Sequence, residues 1–532
     1  MRTFSSYGPI STTTNYYAPR TELIDVAHFQ LVGEEPEEDG HYITVWAPRQ
    51  AGKSWLMQRV LFRLFEQPEF DVMKLNLENL KQETDVLLVL NDIAGQIRAG
   101  LNKAVTPLHN PKEFETIFTH DVLDKPLILI MDEFDALPQE AISAIAGAFR
   151  NIYVARRDDA RPSTEKKYLL HGVALIGVRS VLGVENKSGS PFNVQRSLHV
   201  PNLTFEEVQK MFAWYQKESG HVIETAVIER LYHETGGQPG LICWFGELIS
   251  QGVEGHPADR TQPVTPEDFR RIMIAARDLL PNSNILNILS KVKSPPYNSL
   301  ILDMFRTGEP RPFRYDDPHL NYLYMNGVIE PAATREGGYA VKFACPFVQK
   351  RIFNYFAHQL FGYTGKLHEP FEDLSASVTD DMLHIPNLMQ RFEGYLRKNR
   401  GWLLQDAPKR KDLRLYEAVF HFSLYRFLCD FLEHRGARIY PEFPTGNGSI
   451  DLIITYAGQR YGLELKSYTD DAGHRKALQQ AARYGKQLGL KNIELIVFVE
   501  YIDDANRAKY QQPYYDTAIG VTVTPSFIAT GN

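Results

Sequence analysis

Two spacings of apolar residues divide this chain. Compact apolar runs at residues 42–46, 71–77, 126–131 and 169–178 have the length and composition of buried strands. A period near 3.6 residues predicts helices over 55–65 and over most of 79–120. Strands alternating with helices predict an α/β core with a parallel sheet. Thr204 and Glu207 have capping-box spacing ahead of an apolar stripe of Phe205, Val208, Met211, Phe212 and Tyr215. That stripe begins a helical segment reaching about 252. After a polar stretch come three more helical patterns and two short β-type runs, 327–330 and 338–342, the order expected of a winged helix.

From 405 a new pattern starts. It contains a strongly apolar helix over 413–434, a β-type run at 437–442, and a hairpin of 449–456 and 460–466 turning at Ala457-Gly458-Gln459. A helix carrying Gln480 and Tyr484 and a closing strand at 495–501 follow. The predicted fold class is α/β multidomain: core 1–200, helical lid 201–265, winged helix 266–364, linker helices 365–404, a second α/β/α domain 405–515, and a tail 516–532. The first 19 residues are expected to drape over the core.

Composition narrows the setting. The 532 residues allow three or four domains at roughly 150 residues each. Hydrophobic residues make up 43% and charged residues 23%, an ordinary globular balance. No run reaches the roughly 18 apolar residues of a membrane span. The N-terminus lacks the apolar core of a secretory signal, and Cys243, Cys345 and Cys429 have no metal-ligand spacing. A cytoplasmic protein with reduced thiols and no membrane partner is expected. The net charge of −7 argues against indiscriminate coating of nucleic acid. Residues 400–491, however, hold 15 Lys and Arg against 10 Asp and Glu. This local excess suits either a confined nucleic-acid channel or scattered solvated charge.

The first chemical signal is Ala47-Pro48-Arg49-Gln50-Ala51-Gly52-Lys53-Ser54, a turn between a strand and a helix. A phosphate-binding loop needs that order, because backbone N–H groups must face the phosphates at the positive end of a helix dipole. Ala47 stands where the pattern has its first glycine. Lys53 supplies charge for the phosphates and Ser54 a hydroxyl for Mg²⁺. The matching element is the apolar run that ends in Asp132-Glu133. At the carboxyl end of such a strand, Asp132 is expected to hold Mg²⁺ through water and Glu133 to polarise the attacking water. Arg179 or Ser180, ending the next strand, is in position to sense the γ-phosphate. Arg156-Arg157 is either a charge supplied to the phosphates, in cis or to a neighbouring subunit, or a surface pair. Tyr17 and Arg20 either approach a bound adenine or pack.

Residues 49–54, Asp132-Glu133-Phe134-Asp135, Tyr153-Val154-Ala155-Arg156, Ser190-Pro191-Phe192-Asn193 and Thr235-Gly236-Gly237-Gln238-Pro239 share their order with bacterial AAA-like ATPases of the STAND type. Over about residues 15–250 the chain resembles that family. The resemblance implies ATP and Mg²⁺ as cofactors. It also implies a regulatory NTPase whose helical lid and winged helix hold the nucleotide and restrain an attached effector. In that setting the winged helix is expected to pack against the ATPase.

The second signal lies in the hairpin. With Tyr456 paired to Arg460, Asp451 falls opposite Leu465, one position from both Glu464 and Lys466, which share a face. Two buried carboxylates and an amine are costly unless a hard cation offsets them. Asp451, Glu464 and the carbonyl of Leu465 are the expected Mg²⁺ ligands, and Lys466 the group that orients or deprotonates water. The plain alternative is a surface hairpin with a Glu464–Lys466 salt bridge. Arg475, Lys476, Arg483 and Lys486 lie where they can meet backbone phosphates. Glu417, Gly448-Ser449-Ile450-Asp451, Glu464-Leu465-Lys466 and Gln480-x3-Tyr484 together resemble the PD-(D/E)XK nuclease superfamily over about 405–515. Ile450 stands where the name has proline. The resemblance implies a restriction-endonuclease-like fold, with Glu417 and Gln480 as further site residues.

The combined expectation is an ATP-binding and ATP-hydrolysing regulator, oligomeric, controlling a Mg²⁺-dependent nuclease that cuts DNA. The pairing of modules implies, by analogy, defence against foreign DNA. Two alternatives stand: a regulatory ATPase whose C-terminal domain binds nucleic acid or a protein without cutting, and an accessory ATPase of recombination or transposition.

Overall fold

A computed structural model describes residues 1–531 apart from 9, 178–194, 254–255, 307–310, 335–336, 362–363, 366, 368–371, 406–416, 433–434, 443–450 and 469. The chain forms two units. One comprises Met1–Asn284 with Tyr315–Gly327, the other Ile285–Arg314 with Val328–Asn532.

The first unit contains α1 (Thr21–Val32), β1 (Tyr42–Trp46), α2 (Lys53–Leu64), β2 (Asp71–Asn76), α3 (Val86–Gly100), β3 (Leu127–Asp132), α4 (Gln139–Arg157), β4 (Leu170–Gly177) and β5 (Gln195–His199). The five strands make one sheet in the order β2-β3-β4-β1-β5, with every pairing parallel. Strand β3 explains the apolar run. Leu127, Leu129 and Met131 point into a core shared with α3 and α4, while Ile128 and Ile130 point into one shared with α1 and α2. A strand covered on both faces must be apolar at every position.

Helices α5 (Phe205–Ser219), α6 (Thr225–Thr235) and α7 (Pro239–Gln251) follow, then a minimal strand pair, β6 (Gly252–Val253) with β7 (His256–Pro257), and α8 (Pro266–Asp278). The Thr204–Glu207 capping box forms, and the stripe behind it buries Val208, Met211, Phe212 and Tyr215. The N-terminal segment is anchored here rather than draped. Phe4 and Tyr16 are buried, and Phe4 lies 4.9 Å from Phe212 between ring centroids.

The second unit takes in most of α9 (Ser283–Val292) and α10 (Tyr297–Arg306), whereas α11 (Pro318–Met325) belongs to the first. Strands β8 (Ile329–Ala333) and β9 (Tyr339–Phe343) form the expected hairpin, followed by α12 (Pro346–Leu360), α13 (Ile385–Leu403) and α14 (Glu417–Leu432). Within its own unit the hairpin joins an aromatic cluster. Phe343 stacks on Phe305 at 4.9 Å, and Phe353 meets Phe422 of α14 at 4.7 Å. This aromatic cluster fixes the hairpin's place.

A mixed six-stranded sheet completes the unit. Its members are β10 (Arg438–Glu442), β11 (Asp451–Tyr456), β12 (Gln459–Ser467), β13 (Asn492–Val499), β14 (Tyr514–Asp516) and β15 (Val521–Ala529), in the order β10-β11-β12-β13-β15-β14. Helix α15 (Asp471–Gln487) crosses between the parallel β12 and β13, and α16 (Asp504–Tyr510) follows β13. Two expectations are corrected here. The tail supplies β15, which pairs with β13 over eight residues. Its Pro525 hides the strand from a sequence reading. The proline is tolerated because β14 covers only Val521–Val523 on that edge. Helix α13, expected as linker, is tied to the sheet: Glu393 accepts from the Ala529 amide at 2.8 Å and from Arg507 at 2.7 Å. Among the described residues no helix is long and apolar enough to cross a membrane.

Candidate functional site

Strand β1 ends at Trp46 and the loop enters α2 through Gly52, whose φ of 88° is the left-handed conformation that favours glycine. Ala47 is fully buried, which suits the small residue found there. The Lys53 ammonium folds back over the loop and donates to the carbonyls of Ala47 (2.8 Å) and Pro48 (3.0 Å). Burial pulls its pKa down to about 8, against the opposing pull of Asp135, Glu133 and Asp132. An ammonium held by two loop carbonyls is placed to exchange them for phosphate oxygens.

Ser54 Oγ donates to Asp132 Oδ1 at 3.3 Å, so the hydroxyl and carboxylate expected to share Mg²⁺ are neighbours. Asp132 also meets Lys74 Nζ at 2.8 Å. Lys74, two residues before the end of β2, was not singled out from the sequence, because nothing local distinguishes an amine on a strand. Glu133 adopts φ 57°, and its carboxyl pKa is raised by burial, then by Asp135 and Asp132. Gly177 ends β4 against Asp135: a Cβ there would lie 2.6 Å from the carboxylate. Arg179 and Ser180 lie outside the described residues.

The Gly-Gly-Gln-Pro motif docks on this loop. Gln238 caps α7 by accepting from the Leu241 amide, and its Nε2 donates to the Arg49 carbonyl at 3.1 Å. The Gly240 amide donates to the Gln50 carbonyl at 3.1 Å, and a Cβ on Gly240 would strike the Gln50 side chain at 2.5 Å. Gln50 Nε2 in turn reaches Ser283 Oγ at 3.3 Å. Gln50 is therefore a hub of the loop's contacts.

Arg156 is a correction. Only 3% of its side chain is exposed, and it pairs with Asp39 at 2.9 Å and donates to Ser163 at 2.8 Å. Asp39 binds Lys166 as well, at 2.8 Å. The guanidinium is spent on holding the loop before β1 to the loop before β4, so it is not delivered to the phosphate loop. Tyr17 packs between Trp55 and Trp214, and Arg20 bonds the Pro201 and Asn202 carbonyls.

In the second unit the hairpin register differs by one from expectation. Tyr456 pairs with Gln459 around a two-residue turn, so Asp451 lies directly opposite Glu464. Both carboxylates are fully buried, and Lys466 lies 2.9 Å from Glu464. Beyond that ion pair, neither Glu464 oxygen accepts a hydrogen bond from a described residue. Parallel register sets Glu464 beside Leu495 and Lys466 beside Val497, on the face covered by α15. Gln480 and Tyr484 are one turn apart on that helix. Glu417 is the first residue of α14, one turn before His421. The His421 ring is buried without a described hydrogen-bond partner, and burial pushes its pKa down to about 3. Its apolar neighbours gave no reason to single it out from sequence. Two close, buried carboxylates with an adjacent amine suit a hard divalent cation. No third His, Cys, Asp or Glu joins such a group among the described residues.

A parallel sheet, a lysine-bearing loop at a helix start, and an aspartate at the end of the neighbouring strand define a P-loop nucleotide-binding unit. Residues 6–253 match the family model described as an AAA-like domain, so this part of the chain is an AAA-like P-loop ATPase domain. No curated protein matches the chain significantly. Among solved structures, the Walker-type ATPase of Pyrococcus abyssi is 14% identical with a TM-score of 0.42, covering 66% of this chain and 99% of that one. The ORC1 protein of Aeropyrum pernix in complex with DNA is 16% identical (TM-score 0.31; 65% and 94% covered). The RuvB Holliday junction branch migration motor of Thermotoga maritima is 14% identical (TM-score 0.31; 60% and 89% covered).

Proposed function

We propose that the chain is an ATP-hydrolysing regulator that controls a Mg²⁺-dependent nuclease built on the C-terminal sheet, with DNA as substrate. One observation carries the nuclease half: Asp451 and Glu464 face each other across one rung, both buried, with Lys466 on the same face. Mg²⁺ held by these carboxylates would supply Lewis-acid stabilisation of charge on a phosphodiester. Lys466 leaves Glu464 to orient the attacking water or to meet the phosphate. Glu417 and Gln480 complete the site on the proposed nuclease-like fold.

At the other site, Lys53 exchanges the loop carbonyls for the β- and γ-phosphates, and Ser54 with Asp132 would hold Mg²⁺. Glu133 accepts a proton from the attacking water, and its raised pKa makes it the better base. On this reading α5–α8 act as lid and the β8–β9 hairpin with its helices as a winged-helix-like module. Nucleotide state shifts the modules between restrained and competent arrangements. A homo-oligomer in the cytoplasm, acting against foreign DNA, is the setting that the module pairing suggests by analogy.

The deciding experiment is cleavage of single-stranded, duplex and branched DNA with Mg²⁺ or Mn²⁺, with and without ATP. Lys466→Ala is expected to abolish cutting and keep ATP turnover. Metal-dependent cleavage surviving in that variant overturns the assignment. The 2.9 Å Glu464–Lys466 ion pair favours a second reading, in which the pair neutralises itself and the C-terminal domain binds nucleic acid or protein without cutting. DNA binding with no cleavage under any metal would select it.

A further inference from the structure

Strand β12 does not stop being useful at Lys466. The Tyr468 amide donates to the Phe498 carbonyl at 2.9 Å, so the strand geometry continues two residues further. Alternation then sets Tyr468 on the same face as Glu464 and Lys466, roughly 7 Å along from the lysine. There it enters a cavity of about 220 Å³ lined by Tyr468, Tyr501, Asp503, Asn506, Tyr510 and Phe527, among others, with the Asp503 carboxylate bonded to the Asn506 side chain.

The walls of this cavity are aromatic and fixed. The rings of Tyr468, Tyr510 and Phe527 are mutually spaced 6.0–6.1 Å between centroids. The Tyr468 and Tyr510 hydroxyls both donate to Asp471 Oδ1, at 2.8 and 2.6 Å, which locks their orientation. Tyr501 stands at the cavity 73% exposed, a large ring left in water. Lys509 Nζ sits 4.5 Å from the centre of the Tyr510 ring, adding a cation beside it. The space is smaller than the roughly 300–1,000 Å³ of a pocket for a drug-sized ligand. Flat aromatic walls, a polar edge and a flanking cation match one planar heterocycle attached to an anionic chain.

We infer that this cavity receives one unstacked nucleobase of a single strand whose backbone phosphate lies at Glu464 and Lys466. The inference rests on the reading that the C-terminal site engages DNA. One sugar separates a nucleotide's base from its phosphate, which matches the short step from Lys466 to Tyr468. A base inside a duplex cannot enter, because it is stacked and paired. Single-stranded, gapped or branched substrates are therefore favoured over continuous duplex.

The test uses the full chain with Ca²⁺ in place of Mg²⁺, which leaves a cation for the carboxylates and for ATP while cutting is suppressed, with single-stranded and duplex oligonucleotides containing 2-aminopurine. The wild type is expected to bind the single strand more tightly than duplex and to change the probe's fluorescence on stacking. Tyr510→Leu is expected to weaken single-strand binding about tenfold and to remove that change. Tyr501→Ala, at an exposed position where the fold is not at stake, should do the same to a smaller degree. No DNA binding by the wild type, with or without ATP, overturns the parent reading. Binding that is unaltered in both variants, or equal for duplex, overturns the cavity assignment alone. Occupation of the cavity by a free nucleoside monophosphate that leaves oligonucleotide binding unchanged overturns it too.

Discussion

Gln238 Nε2 donates to the backbone carbonyl of Arg49 at 3.1 Å, joining residues 189 positions apart in sequence. The same side chain caps α7, so one residue both starts a helix and steadies the phosphate loop. Gln238→Ala removes both interactions. The lost cap should cost about 1 kcal/mol of stability. The loosened loop should weaken ATP binding severalfold, beyond what that stability loss explains. Calorimetric titration of nucleotide beside a thermal melt separates the two effects.

Lys53 carries a pH signature. Its folded pKa of about 8 lies below the ordinary lysine value of 10.5, because burial disfavours the charged form. Bound phosphate favours the charged form. Below pH 8 the amine is already protonated and ATP binding should be insensitive to this group. Above pH 8 binding must take up a proton, so affinity should fall, by up to tenfold per pH unit. Titrations at pH 7 to 9.5 in buffers of different ionisation enthalpy check the proton uptake directly.

The facing carboxylates predict a metal-dependent melt. Without nucleotide, Mn²⁺ or Mg²⁺ should raise the midpoint of the unit that holds Asp451 and Glu464. At a hundred times the dissociation constant the gain is about 2.7 kcal/mol. Asp451→Asn and Glu464→Gln should each lose that gain. Each variant is compared with its own metal-free midpoint, because Glu464→Gln also weakens the 2.9 Å pair with Lys466.

Arg156 predicts the opposite pattern from a catalytic arginine. Arg156→Ala leaves Asp39 buried with fewer partners, and breaking such a pair costs about 3 kcal/mol or more. The variant should melt several degrees lower, while the folded fraction keeps its ATP affinity. Selective loss of turnover at unchanged stability would contradict the structural role.

Legibility in the sequence followed how local each signal is. The phosphate loop and the Asp132 strand were readable because their chemistry requires a fixed order over a few residues. The hairpin was readable as an element, but its register was not. Asp451 was set opposite Leu465 because nothing in the composition distinguishes a two-residue turn from a three-residue one. Lys74, Asp39 and His421 escaped notice because each gains its meaning from residues far away in sequence. Strand β15 was missed because Pro525 reads as a breaker until the short neighbour β14 is known. Arg156 was misread because a dipeptide of arginines carries no mark of which side chain turns inward.

The bend at Ala457 and Gly458, with φ of 46° and 76°, is exposed and lies five rungs from the carboxylates. One residue added or lost there slides one strand past the other by a single place, and every side chain on it changes sides. Asp451 would then meet the wrong neighbour about 17 Å from the lesion, with the hydrophobic layers on both faces disturbed as well. On the proposed nuclease reading, the cheapest way for a lineage to disarm this half of the protein is thus an indel in a bend remote from the carboxylates.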